Sequence, residues 1–280
     1  MSDLEKSEKL PPHHRYFNIS TLWIPYFRQA VRFFYYLRIP HEIITLLSIA
    51  FGFLSAWLFL NDRLIAGAIA FHLKDIFDAS DGAIARLTGR EHLIGRYLDS
   101  VGDFIVIHAV IIAIVIRSLE GGRMEYLYWG IAALLSLFIQ CSFFNFYQLK
   151  YLEQFGIDRL SSATDEKSRN DLNYSNMSPW RSILIKTLRG FYFVFYSWQD
   201  DFVRFIDRAL RRELKRLPDK HWYGNRLFMT LLSPLCFGTH IFVIIVFAFT
   251  GNPRWALIFI PVIMNFYLIL LLYLRRTNAI

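Results

Sequence analysis

The sequence predicts an all-α integral membrane protein, and three observations carry the prediction. Apolar residues make up 55% of the 280, aromatics 18% and charged residues only 19%, where a soluble domain has about a quarter charged. The charges lie in short blocks separated by long uncharged runs. Those runs have the length of a bilayer core, about 20 residues in a helix. A disordered chain, a disulfide-built secreted domain and an ordinary soluble enzyme are excluded. The net charge of +8 is not a nucleic-acid footprint, because the basic residues flank apolar stretches instead of forming a face. No nucleic-acid partner is expected, and membrane lipids are.

Two parts are expected along the chain: a cytoplasmic N-terminal segment, 1–42, and a six-helix transmembrane domain, 43–280. The N-terminus has no apolar run before a small-residue cleavage site, so no cleaved signal is expected. Residues 20–38 mix bulky aromatics with three arginines, which predicts a helix lying in the membrane interface. Six spans then follow, at 43–60, 64–87, 97–116, 126–147, 227–251 and 255–274. The second carries Lys74, Asp75, Asp78, Asp81 and Arg86, and the third carries Asp99 and Asp103 in its first turns. Pro234 and Pro261 are tolerable within membrane helices.

An insert at about 149–226 separates spans four and five. It opens with a polar loop, 158–178, and continues as a helix with Ser178 as cap and Pro179 in its first position. Its basic residues Arg204, Arg208, Arg211, Arg212, Lys215 and Arg216 read as a solvated face near anionic headgroups, or as a clamp on an acidic substrate. Cys141 and Cys236 fall in apolar runs, where a free thiol behaves as a small hydrophobe. His72, His108 and His240 read as hydrogen-bonded interior histidines.

Orientation follows from the basic residues. With the N-terminus inside, the outer loops hold four Lys/Arg, against ten in the inner segments with the long insert left out. The rule that cytoplasmic loops carry the excess puts both termini on the cytoplasmic side, with the charged junction between spans two and three.

That junction is the informative stretch. Asp78 and Asp81 are three residues apart and share a helix face, as do Asp99 and Asp103, four apart. Gly82 lies one turn after Asp78 and Gly95 one turn before Asp99, where glycine lets two helix backbones approach closely. A short link makes the two helices antiparallel neighbours, so all four carboxylates converge near the cytoplasmic surface. Each is costly within a span, by about 2.5–3.5 kcal/mol even on the lenient insertion scale. Divalent cations resolve the conflict, and hard oxygen ligands suit Mg²⁺ or Mn²⁺, expected as two ions. The competing reading pairs the aspartates with Lys74, Arg86 and Arg90 as buried ion pairs. Asp75 either supports the site from behind or pairs with Lys74.

The pattern Asp78-x2-Asp81-Gly82-x2-Ala85-Arg86-x8-Gly95-x3-Asp99-x3-Asp103 resembles the signature of the CDP-alcohol phosphotransferase family at all its fixed positions. The resemblance implies that a CDP-linked alcohol, in the first place CDP-diacylglycerol, meets a second alcohol and CMP leaves. It implies Asp78, Asp81 and Asp99 as metal ligands, and Asp103 as the base for the acceptor hydroxyl that also touches a metal. Gly82 and Ala85 become the small residues against which the nucleotide packs, and Arg86 helps to fix its site. Many relatives carry Pro-Asn before the first span, where this chain has Pro40-His41. The long insert is not explained by the motif.

A lipid-synthesising transferase is therefore the leading expectation, with a small polar alcohol as acceptor; a homodimer is compatible with it. Lys150, Arg226, Arg275 and Arg276 are either cations for an anionic acceptor or ordinary positive-inside flanks. The same motif serves CDP-choline or CDP-ethanolamine transfer onto diacylglycerol. A divalent-cation transporter would place its carboxylates near span centres, whereas these lie together off-centre.

Overall fold

The computed structural model describes residues 14–18, 24–89, 93–156, 179–213 and 218–277. The expected 158–178 loop, the cap at Ser178, and Arg90, Lys215 and Arg216 lie outside the described residues. Among those described, every regular element is helical. In chain order they are α1 (Ile24–Tyr36), α2 (His41–Leu60), α3 (Leu64–Thr88), α4 (Leu93–Glu120), α5 (Glu125–Glu153), α6 (Pro179–Glu213), α7 (Asp219–Tyr223), α8 (Arg226–Leu232), α9 (Phe237–Phe249), α10 (Arg254–Phe259) and α11 (Asn265–Arg276).

Among the described residues, four helices are long and apolar enough to cross a membrane: α2, α4, α5 and the run Arg254–Arg276. A fifth is added if the bent pair Arg226–Leu235 and Phe237–Phe249 counts as one span. The expected six are thus supported as four to five. The difference is α3, whose 25 residues are long enough but carry Lys74, Asp75, Asp78, Asp81 and Arg86. The two prolines act differently. Pro234 sits in a 3₁₀ turn, Ser233–Leu235, where the helix axis bends by 45°. Pro261 sits in a π-helical segment, Ile260–Met264, whose wider turn absorbs the missing backbone donor while the helix runs on.

Small residues set the packing, as expected where apolar burial gives no preference for helix over lipid. α2 packs closely against both α3 and α4, and α9 covers α3. A Cβ on Gly102 of α4 would lie 2.6 Å from Ile49 Cδ1, and one on Gly52 of α2 would lie 2.7 Å from Val106 Cγ2. α3 ends at Gly89, whose φ of 63° is the left-handed helix-stop conformation that glycine adopts without strain. α1 lays Val31 and Phe34 against Ile44, Ala83 and Ile84, and leaves Tyr26, Phe33 and Tyr36 exposed.

The insert helix α6, 35 residues long, packs along α4 and α5. Phe195 meets Phe104 at 4.4 Å between ring centroids, and Tyr192 meets Tyr97 at 5.4 Å. The Ser142 hydroxyl donates to Gln199 (2.7 Å). Its far end is fixed by Asp207, buried, which accepts from Tyr147 (2.9 Å), Trp222 Nε1 (2.9 Å) and Tyr223 (2.7 Å). The expected uniform basic face is therefore divided. Arg208 is exposed, while the Arg211 guanidinium lies over the Tyr223 ring at 5.2 Å.

Candidate active site

Asp78 and Asp81 lie on α3, Asp99 and Asp103 on α4. Asp78, Asp99 and Asp103 each present a carboxylate oxygen to a common space, all within 4.8 Å of one another. The side chains of Asp78 and Asp103 keep about a fifth of their surface exposed, 22% and 21%. Three carboxylates this close repel one another unless cations lie between them. As hard, partly exposed oxygen donors they fit a divalent ion such as Mg²⁺ or Mn²⁺.

Asp81 stands apart from the trio. It is 6% exposed and accepts a 2.6 Å hydrogen bond from the Thr45 hydroxyl of α2. One cation is already present in the cluster. Lys74, one turn before Asp78, is fully buried; its ammonium donates to Asp103 Oδ1 and lies 3.3 Å from Asp78 Oδ1. The expected pairing with Lys74 therefore occurs alongside the aspartate cluster, not in place of it.

The neighbouring motif positions take a different arrangement from the one the sequence predicts. α3 and α4 approach each other only sparsely, whereas each packs closely on α2. They meet through Lys74 and the carboxylates. A Cβ on Gly95 would lie 3.5 Å from Nε2 of His41, so Gly95 adjoins α2 and does not bring α3 and α4 backbones together. A Cβ on Gly82 would lie 3.3 Å from Arg86 Nη1. Gly82 thus leaves room for the Arg86 guanidinium, one turn on, and not for a helix. Ala85, on the same turn, is buried.

Of the basic residues at span ends, Lys150 pairs with Glu153 at 2.7 Å. Arg275 is 1% exposed, donates to the Trp222 carbonyl and lies over the rings of Phe228 (3.6 Å) and Trp222 (4.1 Å). It is enclosed in an aromatic box and does not face an acceptor. His108 and His240 are bonded in the interior: His108 to the Phe104 carbonyl (2.7 Å), and His240 to Gln140 (2.7 Å) and the Cys236 carbonyl (2.9 Å).

Sequence reasoning missed two neighbours of the site, Thr45 and the aromatic face of α6, and singled out His41 only from its place after Pro40. The Tyr196 hydroxyl donates to the Ser100 carbonyl (3.1 Å), between Asp99 and Asp103 on α4. Thr45 and His41 are one turn apart at the start of α2, and the helical spacing was the available signal. The contact from α6 carries no local signal, since it joins segments about a hundred residues apart.

No curated protein and no solved structure matches the chain. Residues 39–159 match the family model for CDP-alcohol phosphatidyltransferase. That stretch holds α2 to α5 and every aspartate of the site. That match indicates a transferase enzyme, and the family it is similar to moves a phospho-alcohol group from a CDP-alcohol.

Proposed function

We propose that the protein synthesises a phospholipid, transferring a phosphatidyl group from CDP-diacylglycerol to a small polar alcohol with release of CMP. The convergence of Asp78, Asp99 and Asp103 within 4.8 Å, beside the Gly82–Arg86 turn, is the observation that carries the reading. In it, Asp78, Asp81, Asp99 and Asp103 hold two divalent ions, Mg²⁺ or Mn²⁺. Bound there, the ions offset the negative charge of the diphosphate. The acceptor hydroxyl oxygen attacks the phosphorus that bears the diacylglycerol, and the bond to CMP breaks. Asp103 takes the hydroxyl proton. Gly82 gives the Arg86 guanidinium room beside this turn, and with Ala85 the three would line the nucleotide's site. Six spans, with α3 the second, and a cytoplasmic site complete the reading, because the donor nucleotide is cytosolic.

The test is CMP release by purified protein supplied with CDP-diacylglycerol and a panel of small alcohols and alcohol phosphates. Release with one acceptor and not without it supports the proposal. Turnover only with CDP-choline or CDP-ethanolamine and diacylglycerol would reverse the lipid's role. Divalent-ion flux into liposomes without any CDP-alcohol would replace the enzyme by a transporter.

A further inference from the structure

Every position of the aspartate motif is accounted for above, but Lys74 lies outside it. A lysine ammonium with no exposed surface is costly unless it is partnered. Its surroundings fix it closely. The Ser48 hydroxyl of α2 donates to its backbone carbonyl (3.1 Å), and its ammonium lies 5.1 Å from the centre of the Phe237 ring on α9. From that position it reaches Oδ1 of Asp103 and Oδ1 of Asp78, one carboxylate from each of two helices that otherwise hardly touch.

We propose that Lys74 is a positioning residue and built-in counter-cation of the aspartate site, holding Asp78 and Asp103 by one oxygen each before a divalent ion arrives. The inference rests on the reading of those aspartates as metal ligands. Two consequences follow from charge and geometry. A fixed positive charge within a few ångströms of a divalent ion opposes its binding, so Lys74 weakens metal affinity. It also keeps the carboxylates in one arrangement, so it raises turnover. A residue that only stabilises the fold would not move these two quantities in opposite directions.

The test is Mn²⁺ binding to purified full-length protein, followed by electron paramagnetic resonance, with CMP release measured on the same samples. Lys74→Met keeps the aliphatic stem and removes the charge. It should bind Mn²⁺ about tenfold or more tightly while turnover falls about 10²-fold. Lys74→Arg keeps the charge and should stay near the wild-type Mn²⁺ affinity. Unchanged or weaker Mn²⁺ binding by folded Lys74→Met overturns the inference and leaves the metal reading standing. Wild-type protein that binds no Mn²⁺, or binds it equally well as Asp78→Asn, overturns both. If Lys74→Met alone does not fold, Lys74→Met/Asp103→Asn decides. Recovery of folding shows the two charges to be partners and supports the inference; a double variant no more folded than the single overturns it.

Discussion

Gly52→Ala tests whether the α2–α4 contact sets the position of Asp103. The added Cβ would lie 2.7 Å from Val106 Cγ2 and 3.1 Å from Val106 Cβ, where carbon atoms in contact keep roughly 3.5–4.0 Å. Val106 cannot turn aside, because a β-branched side chain in a helix has one favoured rotamer and its Cβ is itself too near. The backbones must therefore separate by about 0.5–1 Å. Overpacking of this kind costs about 1–3 kcal/mol, offset by about 0.5–1 kcal/mol from replacing a helical glycine. Stability should therefore fall by no more than about 2.5 kcal/mol. Activity should fall further, because Val106 is one turn from Asp103 and a displacement near 1 Å can cost about 10²-fold. CMP release and thermal unfolding in detergent read the two effects, and Gly52→Ala/Val106→Ala should recover most of the activity. Gly95→Ala is the control, since its Cβ meets His41 at an ordinary 3.5 Å. Wild-type activity in folded Gly52→Ala would refute the reasoning.

Three further outcomes are expected. EDTA should abolish CMP release and Mg²⁺ or Mn²⁺ restore it; full turnover in chelator would remove the metal from the site. Asp103→Asn should slow turnover by about 10²–10⁴-fold with donor binding affected less, whereas Asp78→Asn should weaken metal-dependent donor binding itself; binding and rate measured on both variants check the division. Asp207→Ala leaves the buried donors of Tyr147, Trp222 and Tyr223 without their shared acceptor, and should lower stability by about 3–5 kcal/mol, read as a drop in unfolding temperature.

The spans and the aspartates were legible because both follow helical periodicity: an uncharged run of sufficient length, and carboxylates three or four residues apart. What the pattern could not carry was which helix lies between which. Gly82 and Gly95 read naturally as a close α3–α4 contact, but α2 takes that place, and the two glycines face Arg86 and His41 instead. Arg275 read as a flanking cation from its position at a span end, yet the rings of Tyr147, Trp222 and Phe228 enclose it. The α6 insert read as a basic cytoplasmic helix because its arginines gather toward one end, at Arg204, Arg208, Arg211 and Arg212. Its aromatic side, Tyr192, Phe195 and Tyr196, decides where it lies, and those residues find their partners only in three dimensions.

The four aspartates are equivalent in the motif and unequal in the fold. Asp81 is buried and tied to Thr45 on α2; Asp78 and Asp103 share the Lys74 ammonium; Asp99 joins them in the common space. The Thr45 hydroxyl fixes the orientation of Asp81 outside the trio whose oxygens share one space. A carboxylate that gives one oxygen to a lysine has the other to offer, and Asp103 carries that arrangement on the helix opposite the Gly82–Arg86 turn. An acceptor hydroxyl approaching a nucleotide seated on α3 would meet α4 from the far side of the diphosphate. In the function proposed above, in-line displacement, with entering and leaving oxygens on opposite sides of phosphorus, would have the nucleotide on the α3 side and Asp103 on the α4 side.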